Sequence, residues 1–307
     1  MTGSIATIEG GCVTFPGGVR ALDGIDLALD AGAITALVGE SGSGKTTLCR
    51  VLSGLQPLTA GQATVAGEFV GPRMHRNVQM LLQDAPGSLS PRMTVRVLLA
   101  EPAVIHGLDR AVAASRAESL LRQLGLGSAL LDRYPHQLSG GQARRVAIAR
   151  TLMLSPRLLI ADEPTAGLDI SVQGELLNLL LAVQRDQEMT MLVATHNLSV
   201  IGRLAVNVIV MYLGQIVERG DTASVLSQPR HPYTQALLSA QPSLSHAGRR
   251  TRIVLRGEPP SVVRPPSGCR FHTRCPCAVP VCAQVVPSWR THGKVAALCH
   301  FDDPVVT

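Results

Sequence analysis

The chain has 307 residues, 46% of them hydrophobic and 16% charged, which excludes a disordered chain and allows one large domain with an appendage. Its formal charge of +6 fits an ordinary basic surface and by itself argues for no nucleic-acid partner. No apolar run reaches the roughly 20 residues that a membrane span requires, and Met1–Gly10 lacks the basic start and apolar stretch of a secretory signal, so the expected place of work is the cytoplasm.

From the N-terminus, Ile5 to Leu29 reads as short strands separated by turns, with Phe15-Pro16-Gly17-Gly18 as one turn and Leu22, Ile25, Leu27 and Leu29 on a half-buried strand. Ile34 to Val38 is a compact β-prone run, expected as a buried strand feeding a glycine-rich loop, and a helix is predicted from Lys45 to Leu52. Thr94 to Leu131 has helical spacing and reads as a mainly helical insert. Buried strands follow at Leu158–Ala161 and Thr190–Ala194, with a helix at about Val172–Gln184 between them. Val206–Met211 and Gln215–Glu218 read as a closing hairpin turning at Leu213-Gly214. Strands alternating with helices predict an α/β core with a parallel-rich central sheet. Beyond Ser239 prolines become dense, which predicts a loop-rich extension outside the sheet.

Gly39-Glu40-Ser41-Gly42-Ser43-Gly44-Lys45-Thr46 fits the phosphate-loop pattern in full, and a strand before it and a helix after it complete the context. Glycines let the backbone wrap closely and turn N–H groups toward phosphate oxygens at a helix N-terminus. Gly39, Ser41, Gly42, Gly44, Lys45, Thr46 and Thr47 are the expected nucleotide contacts, with Lys45 on the β- and γ-phosphates and Thr46 on Mg²⁺. Asp162 and Glu163 follow an apolar strand at the edge where ligands of open α/β sheets bind. Asp162 is the expected metal-side carboxylate, and Glu163 the group that orients and polarises the attacking water.

Leu138-Ser139-Gly140-Gly141-Gln142 resembles the signature motif of ATP-binding-cassette (ABC) ATPases. Its physics is that of a second anion site at a helix start. The resemblance implies an ATPase with a P-loop NTPase core, an N-terminal antiparallel β subdomain and a helical subdomain at about 85–155. It also implies two cassettes sharing each ATP, with Ser139, Gly140, Gly141 and Gln142 facing the γ-phosphate held by the opposite one. In the same way Gln83 is identified as the glutamine that touches Mg²⁺ and the attacking water. His196 is the switch histidine that bonds the γ-phosphate, Asp169 belongs to the loop that crosses to the partner, and Phe15 is the aromatic residue on adenine. Three positions depart from the family pattern: Ala166-Gly167 stands where Ser-Ala is usual, Gln137 where Glu is usual, and Ala143 where Arg is usual. The missing serine hydroxyl bears on coupling between the paired sites; the changes at Gln137 and Ala143 remove no catalytic group.

Gln83 to Val95, Arg230-His231-Pro232-Tyr233-Thr234 and Pro265 to Pro276 resemble the dipeptide, oligopeptide and nickel importer branch of that family. This implies residues 1–240 as the nucleotide-binding domain and 241–307 as a branch-specific extension. It also implies a second ATPase subunit, identical or different, two permeases and a substrate-binding protein, on the cytoplasmic face of the membrane. Nucleic acid is not an expected partner, although a non-transport cassette acting on ribosomes or DNA is the competing class. Five of the seven cysteines crowd the tail. Cys269, Cys275, Cys282 and Cys299 have the number for a metal centre, without the paired C-x-x-C spacing of structural zinc. An iron–sulfur cluster, which the branch resemblance implies as [4Fe-4S], zinc, and free thiols are the three readings, with Cys277 as bystander or substitute ligand.

Overall fold

The computed structural model describes residues 3–71, 76–240, 252–255 and 257–302. In chain order the elements begin with β1 (Ser4–Phe15), β2 (Val19–Asp30), β3 (Ile34–Val38), α1 (Lys45–Leu52), β4 (Ala60–Val65), β5 (Glu68–Phe69) and β6 (Val78–Leu81). Then come the helices α2 (Val95–Ile105), α3 (Arg110–Gln123) and α4 (Gly140–Leu152), followed by β7 (Leu158–Asp162), α5 (Ile170–Gln187), β8 (Thr190–Thr195) and α6 (Leu198–Leu204). The chain continues through β9 (Asn207–Tyr212), β10 (Gln215–Asp221), α7 (Thr222–Ser227), α8 (Pro232–Ser239), α9 (Pro280–Gln284), β11 (Trp289–His292) and β12 (Val295–Leu298).

Two sheets organise these elements. The smaller is antiparallel, in the order β2-β1-β4-β5. The larger has eight strands, in the order β11-β12-β10-β9-β3-β8-β7-β6. Its heart is parallel, β3 pairing with both β8 and β9, and β7 with both β6 and β8. Every residue of β3, β7 and β8 is buried, as expected of parallel strands covered on both faces. This is the expected α/β class with an antiparallel N-terminal sheet.

The opening strands are longer than expected. β1 and β2 each run for 12 residues and form one hairpin, not several short strands. Inside β1, Gly10 adopts φ +57° and the register shifts between Ile8 and Gly11 without ending the strand. A glycine inside a strand here marks a bulge, not an end.

The extension also departs from expectation. β11 and β12 add themselves to the β10 edge of the large sheet, with Glu218, Arg219 and Gly220 opposite Ala297, Ala296 and Val295. Val295 and Ala297 are buried there. Gly220 permits the approach, since a Cβ on it would lie 2.3 Å from the Lys294 carbonyl oxygen. Adding strands covers an edge whose N–H and C=O groups would otherwise stay open. The first residues of the extension, 241–251, lie outside the described ones.

α2, α3 and α4 pack on one another as a helical unit, fed by buried Leu98, Leu99, Leu120, Leu121, Val146 and Ile148. Among the described residues no helix is long and apolar enough to cross a membrane.

Candidate functional site

The loop between β3 and α1 is built by glycines used at specific torsions. Gly42 sits at φ +78° and Gly44 at φ +106°, values open to glycine and costly for other residues. A Cβ on Gly44 would lie 2.5 Å from the Ala21 carbonyl oxygen, and one on Gly39 2.3 Å from that of Met211. Backbone is thus folded against backbone from β2 and from the end of β9, which leaves the loop one shape. Lys45 opens α1, is buried, and donates from Nζ to the carbonyl oxygens of Gly39 at 2.8 Å and Glu40 at 3.0 Å. Burial lowers its pKa, while Glu163 and Asp162 pull it back up. The ammonium is therefore curled over its own loop, held by neutral carbonyls that a phosphate can displace.

Asp162 ends β7, and Glu163 follows it. Asp162 is 4% exposed, and its Oδ1 is buried with no hydrogen-bond partner. Burial raises its pKa, and a bond from the Thr46 side chain works against that rise. An orphaned buried carboxylate oxygen beside a threonine hydroxyl, at the end of a phosphate loop, fits a hard cation with oxygen ligands. Thr46 and Asp162 would hold Mg²⁺. Its contribution when bound is to neutralise charge developing on the phosphate oxygens.

Glu163 lies in the left-handed region, at φ +48°, and its N–H is tied to the Ala194 carbonyl at 2.9 Å. A non-glycine residue there stores strain that the surrounding structure must hold, a common property of functional positions. The torsion aims Glu163 at His196 beyond the end of β8, where Nδ1 lies 3.2 Å from Oε1. The His196 side chain is 66% exposed, so its other ring nitrogen is free to meet a ligand.

Gln83 follows β6 and lines a cleft of about 670 Å³ together with Thr46, Asp162, Arg144, Ala166 and Gly167. The structure thus brings Gln83, Thr46 and Asp162 to one opening, while Glu163, next to Asp162 in the chain, pairs with His196. Arg144 of α4 was not singled out from sequence. Its Nε is buried without a partner, and it reaches the cleft from the helical unit. Its neighbour Arg145, which bonds the Leu124 carbonyl, looks no different in sequence. A larger hollow, about 800 Å³ around Arg116 and Ser155, holds neither the acidic pair nor the phosphate loop.

Ser139, Gly140 and Gly141 do not join this cleft. Ser139 is the N-cap of α4, its Oγ accepting from the Gln142 N–H at 3.2 Å while Gln142 Oε1 accepts from the Ser139 N–H at 3.0 Å. This capping box leaves the helix start ordered and its exposed glycines facing open space. Asp169 caps α5, accepting from the Val172 N–H at 3.0 Å and the Ser171 hydroxyl at 2.7 Å. Phe15 is half-buried at the end of β1, where its carbonyl accepts from the Gly18 N–H at 3.1 Å.

In the extension, the Cys269 N–H bonds the Cys282 carbonyl at 2.8 Å. Burial raises the pKa of the Cys269, Cys275, Cys277 and Cys299 thiols, that of Cys275 to about 12. Negative charge on neighbouring thiols, Cys282 among them, adds to these rises. Among the described residues, however, no three His, Cys, Asp or Glu side chains are gathered as metal ligands, and none of the seven cysteines is in a disulfide. The thiols converge on one region without meeting in ligating geometry, so the arrangement as it stands does not fit a cluster.

Comparison with known proteins agrees with this site. Residues 22–166 match the ABC transporter family, and residues 217–282 match the C-terminal region of oligopeptide/dipeptide transporters. The chain is 41% identical to the di/tripeptide transport ATP-binding protein DppF of Pseudomonas aeruginosa, over 92% of this chain and 90% of that one. It is 41% identical to the oligopeptide transport ATP-binding protein AppF of Bacillus subtilis, over 93% and 89% of the two. Among solved structures, cbiO1 of Clostridium perfringens, part of the ABC transporter complex cbiONQ, superposes with a TM-score of 0.67 at 29% identity, covering 73% of this chain and 91% of that one. A parallel sheet, phosphate loop, acidic pair and capped Ser-Gly-Gly helix define an ATP-hydrolysing cassette. The chain belongs to the ABC transporter family, as one of its ATPase subunits.

Proposed function

We propose that this chain is the ATPase subunit of an importer of di- and oligopeptides, working at the cytoplasmic face of the membrane beside a second cassette, two permeases and a substrate-binding protein. The observation that carries the reading is the separation of the two anion sites. Thr46 and Asp162 line one cleft, with Lys45 next to Thr46 at the start of α1, while Ser139–Gly141, capped and exposed, stand outside it with open space around them. A nucleotide gripped by both needs two chains. The peptide specificity is supported by the named relatives and by the match of residues 217–282. The division into a nucleotide-binding domain of residues 1–240 and an extension of residues 241–307 belongs to the same proposal.

In this reading the loop N–H groups and Lys45 bind the triphosphate, Lys45 exchanging the Gly39 and Glu40 carbonyls for phosphate oxygens. Phe15 stacks on adenine. Glu163 takes the proton of the attacking water, oriented by His196 and Gln83, while His196 donates to the γ-phosphate. Ser139, Gly140, Gly141 and Gln142 of the second cassette complete the site, with Asp169 in the loop that crosses between them. The rate enhancement comes from positioning and fixed charge, and the work from tighter binding of ATP to the closed pair than to the open one. For the permeases, support comes from an apolar groove of about 560 Å³ between α2 and α3, lined in part by exposed Val97, Val104 and Ile105. Exposed apolar surface of this kind suits short amphipathic helices.

The test is uptake by vesicles holding the whole transporter: Glu163→Gln is expected to abolish ATP-driven uptake of a labelled dipeptide. Loss of uptake for nickel but not for the peptide reassigns the solute, and co-purification with ribosomes or DNA instead of permeases overturns the class. A [4Fe-4S] cluster on Cys269, Cys275, Cys282 and Cys299 rests on the branch resemblance and on the convergence of those thiols. It requires a rearrangement of the extension, and iron analysis with visible absorbance of anaerobically purified protein tests it.

A further inference from the structure

The extension reaches the phosphate loop. Phe271 is 1% exposed and enters an aromatic cluster with Tyr212 (centroids 5.2 Å apart), Tyr233 (5.4 Å) and His231 (5.7 Å). On one side of it Arg270, 6% exposed, bonds the Leu213 carbonyl and Asp23. On the other side Arg274, its side chain 8% exposed, closes a two-pronged ion pair on Glu40, Nη1 to Oε2 at 2.8 Å and Nη2 to Oε1 at 3.3 Å.

Glu40 is the second residue of the phosphate loop, and all of its polar groups are in use. Its N–H donates to the Tyr233 hydroxyl at 2.8 Å, its carboxylate takes Arg274, and its carbonyl accepts from Lys45 Nζ at 3.0 Å. The residue that parks the phosphate-binding lysine is thus gripped from behind by α8 and by the extension. A paired guanidinium–carboxylate contact fixes direction as well as distance, and the shielding of Arg274 sets it apart from a surface pair of negligible effect.

We propose that Arg274 is a positioning residue for nucleotide binding, acting through Glu40 to hold the phosphate loop in its binding shape, so that ATP affinity depends on the docked extension. The proposal rests on the reading of Gly39–Thr46 as the ATP site. Arg274 touches neither Glu163 nor His196, so its effect falls on binding and not on the chemical step.

The experiment uses the full-length chain, titrated with a fluorescent trinitrophenyl-ATP and assayed for ATP hydrolysis. Arg274→Gln is expected to weaken nucleotide binding and raise KM for ATP by about tenfold, the size of one charge-assisted hydrogen bond, with kcat changed less than about twofold. Arg274→Lys, which keeps the charge but loses the fork, is expected to recover part of the affinity. Glu40→Gln is expected to match Arg274→Gln, and the double variant to be no worse than either single one. Unchanged affinity in a folded Arg274→Gln or Glu40→Gln chain, additive effects in the double variant, or a loss confined to kcat overturns the proposal. Lys45→Ala separates the two claims. If it abolishes binding while Arg274→Gln does not weaken it, the ATP site stands and the positioning role falls; if Lys45→Ala binds normally, the site itself is wrong.

Discussion

Replacing single glycines of the phosphate loop with alanine isolates what the fold demands at each position. Gly42 and Gly44 both lie at positive φ, +78° and +106°. Alanine at either site therefore carries a backbone cost of about 1–2 kcal/mol. Their surroundings differ. A Cβ on Gly42 meets nothing within 4 Å, whereas one on Gly44 lies 2.5 Å from the Ala21 carbonyl oxygen and 3.2 Å from both Leu22 Cδ2 and Met211 Cε. The carbonyl belongs to β2 and cannot rotate away, so Gly44→Ala adds an overpacking cost of about 1–3 kcal/mol. Urea unfolding without nucleotide measures the difference directly. The midpoint for Gly44→Ala is expected about 0.5–1 M below that for Gly42→Ala, at unchanged slope. Equal midpoints would refute the argument that the loop's shape is set by backbone pressed on backbone.

Other expectations follow from the same contacts. Ser139→Ala removes the N-cap of α4 and is expected to lower stability by about 1 kcal/mol, seen as a reduced melting temperature, with ATP turnover falling far more than that loss of cap explains. Glu163→Gly relieves the left-handed torsion, so turnover is lost while the unfolding free energy in urea stays at or above that of the parent chain, by up to about 1 kcal/mol; a clear drop contradicts the strain. A pH series tests the core beside the extension. Burial pushes Glu218 up from 4.5 to about 7, against N–H bonds from Arg230 and His231, and pushes His231 down from 6.5 to about 3. The folded chain thus holds a proton on Glu218 that the unfolded chain has released, a contribution present below pH 4.5 and lost as pH rises through 7. His231 does the opposite, staying neutral when folded, so its contribution is present above pH 6.5 and lost as pH falls toward 3. Between 4.5 and 6.5 the two slopes oppose. His231→Asn keeps a capping acceptor for the Tyr233 N–H, which now bonds His231 Nδ1 at 3.1 Å, and removes one slope. Relative to the parent, the variant is expected to gain stability between pH 6.5 and 4.5; parallel profiles for the two chains contradict this.

The core of the site was readable because its signals are local. Five consecutive buried residues make β3, the loop pattern fixes the start of α1 at Lys45, and an apolar run places Asp162 and Glu163 at a strand end. The misreadings share one cause, contacts between residues distant in sequence. Arg274 meets Glu40 across 234 positions, and nothing near either one announces the other. β11 and β12 are four residues each, too short to show a period, and become strands only because β10 offers an edge. Aromatic residues are only 3% of the chain, yet Tyr212, Tyr233 and Phe271 sit together at the joint between cassette and extension. For the cysteines, spacing gave their number but not their mutual geometry.

The account turns on an ATP shared between two cassettes. In the purified transporter carrying Glu163→Gln, radiolabelled ATP is expected to stay trapped and unhydrolysed through gel filtration, and adding Ser139→Arg is expected to release it. ATP retained equally with and without the Ser139 change would contradict the shared site.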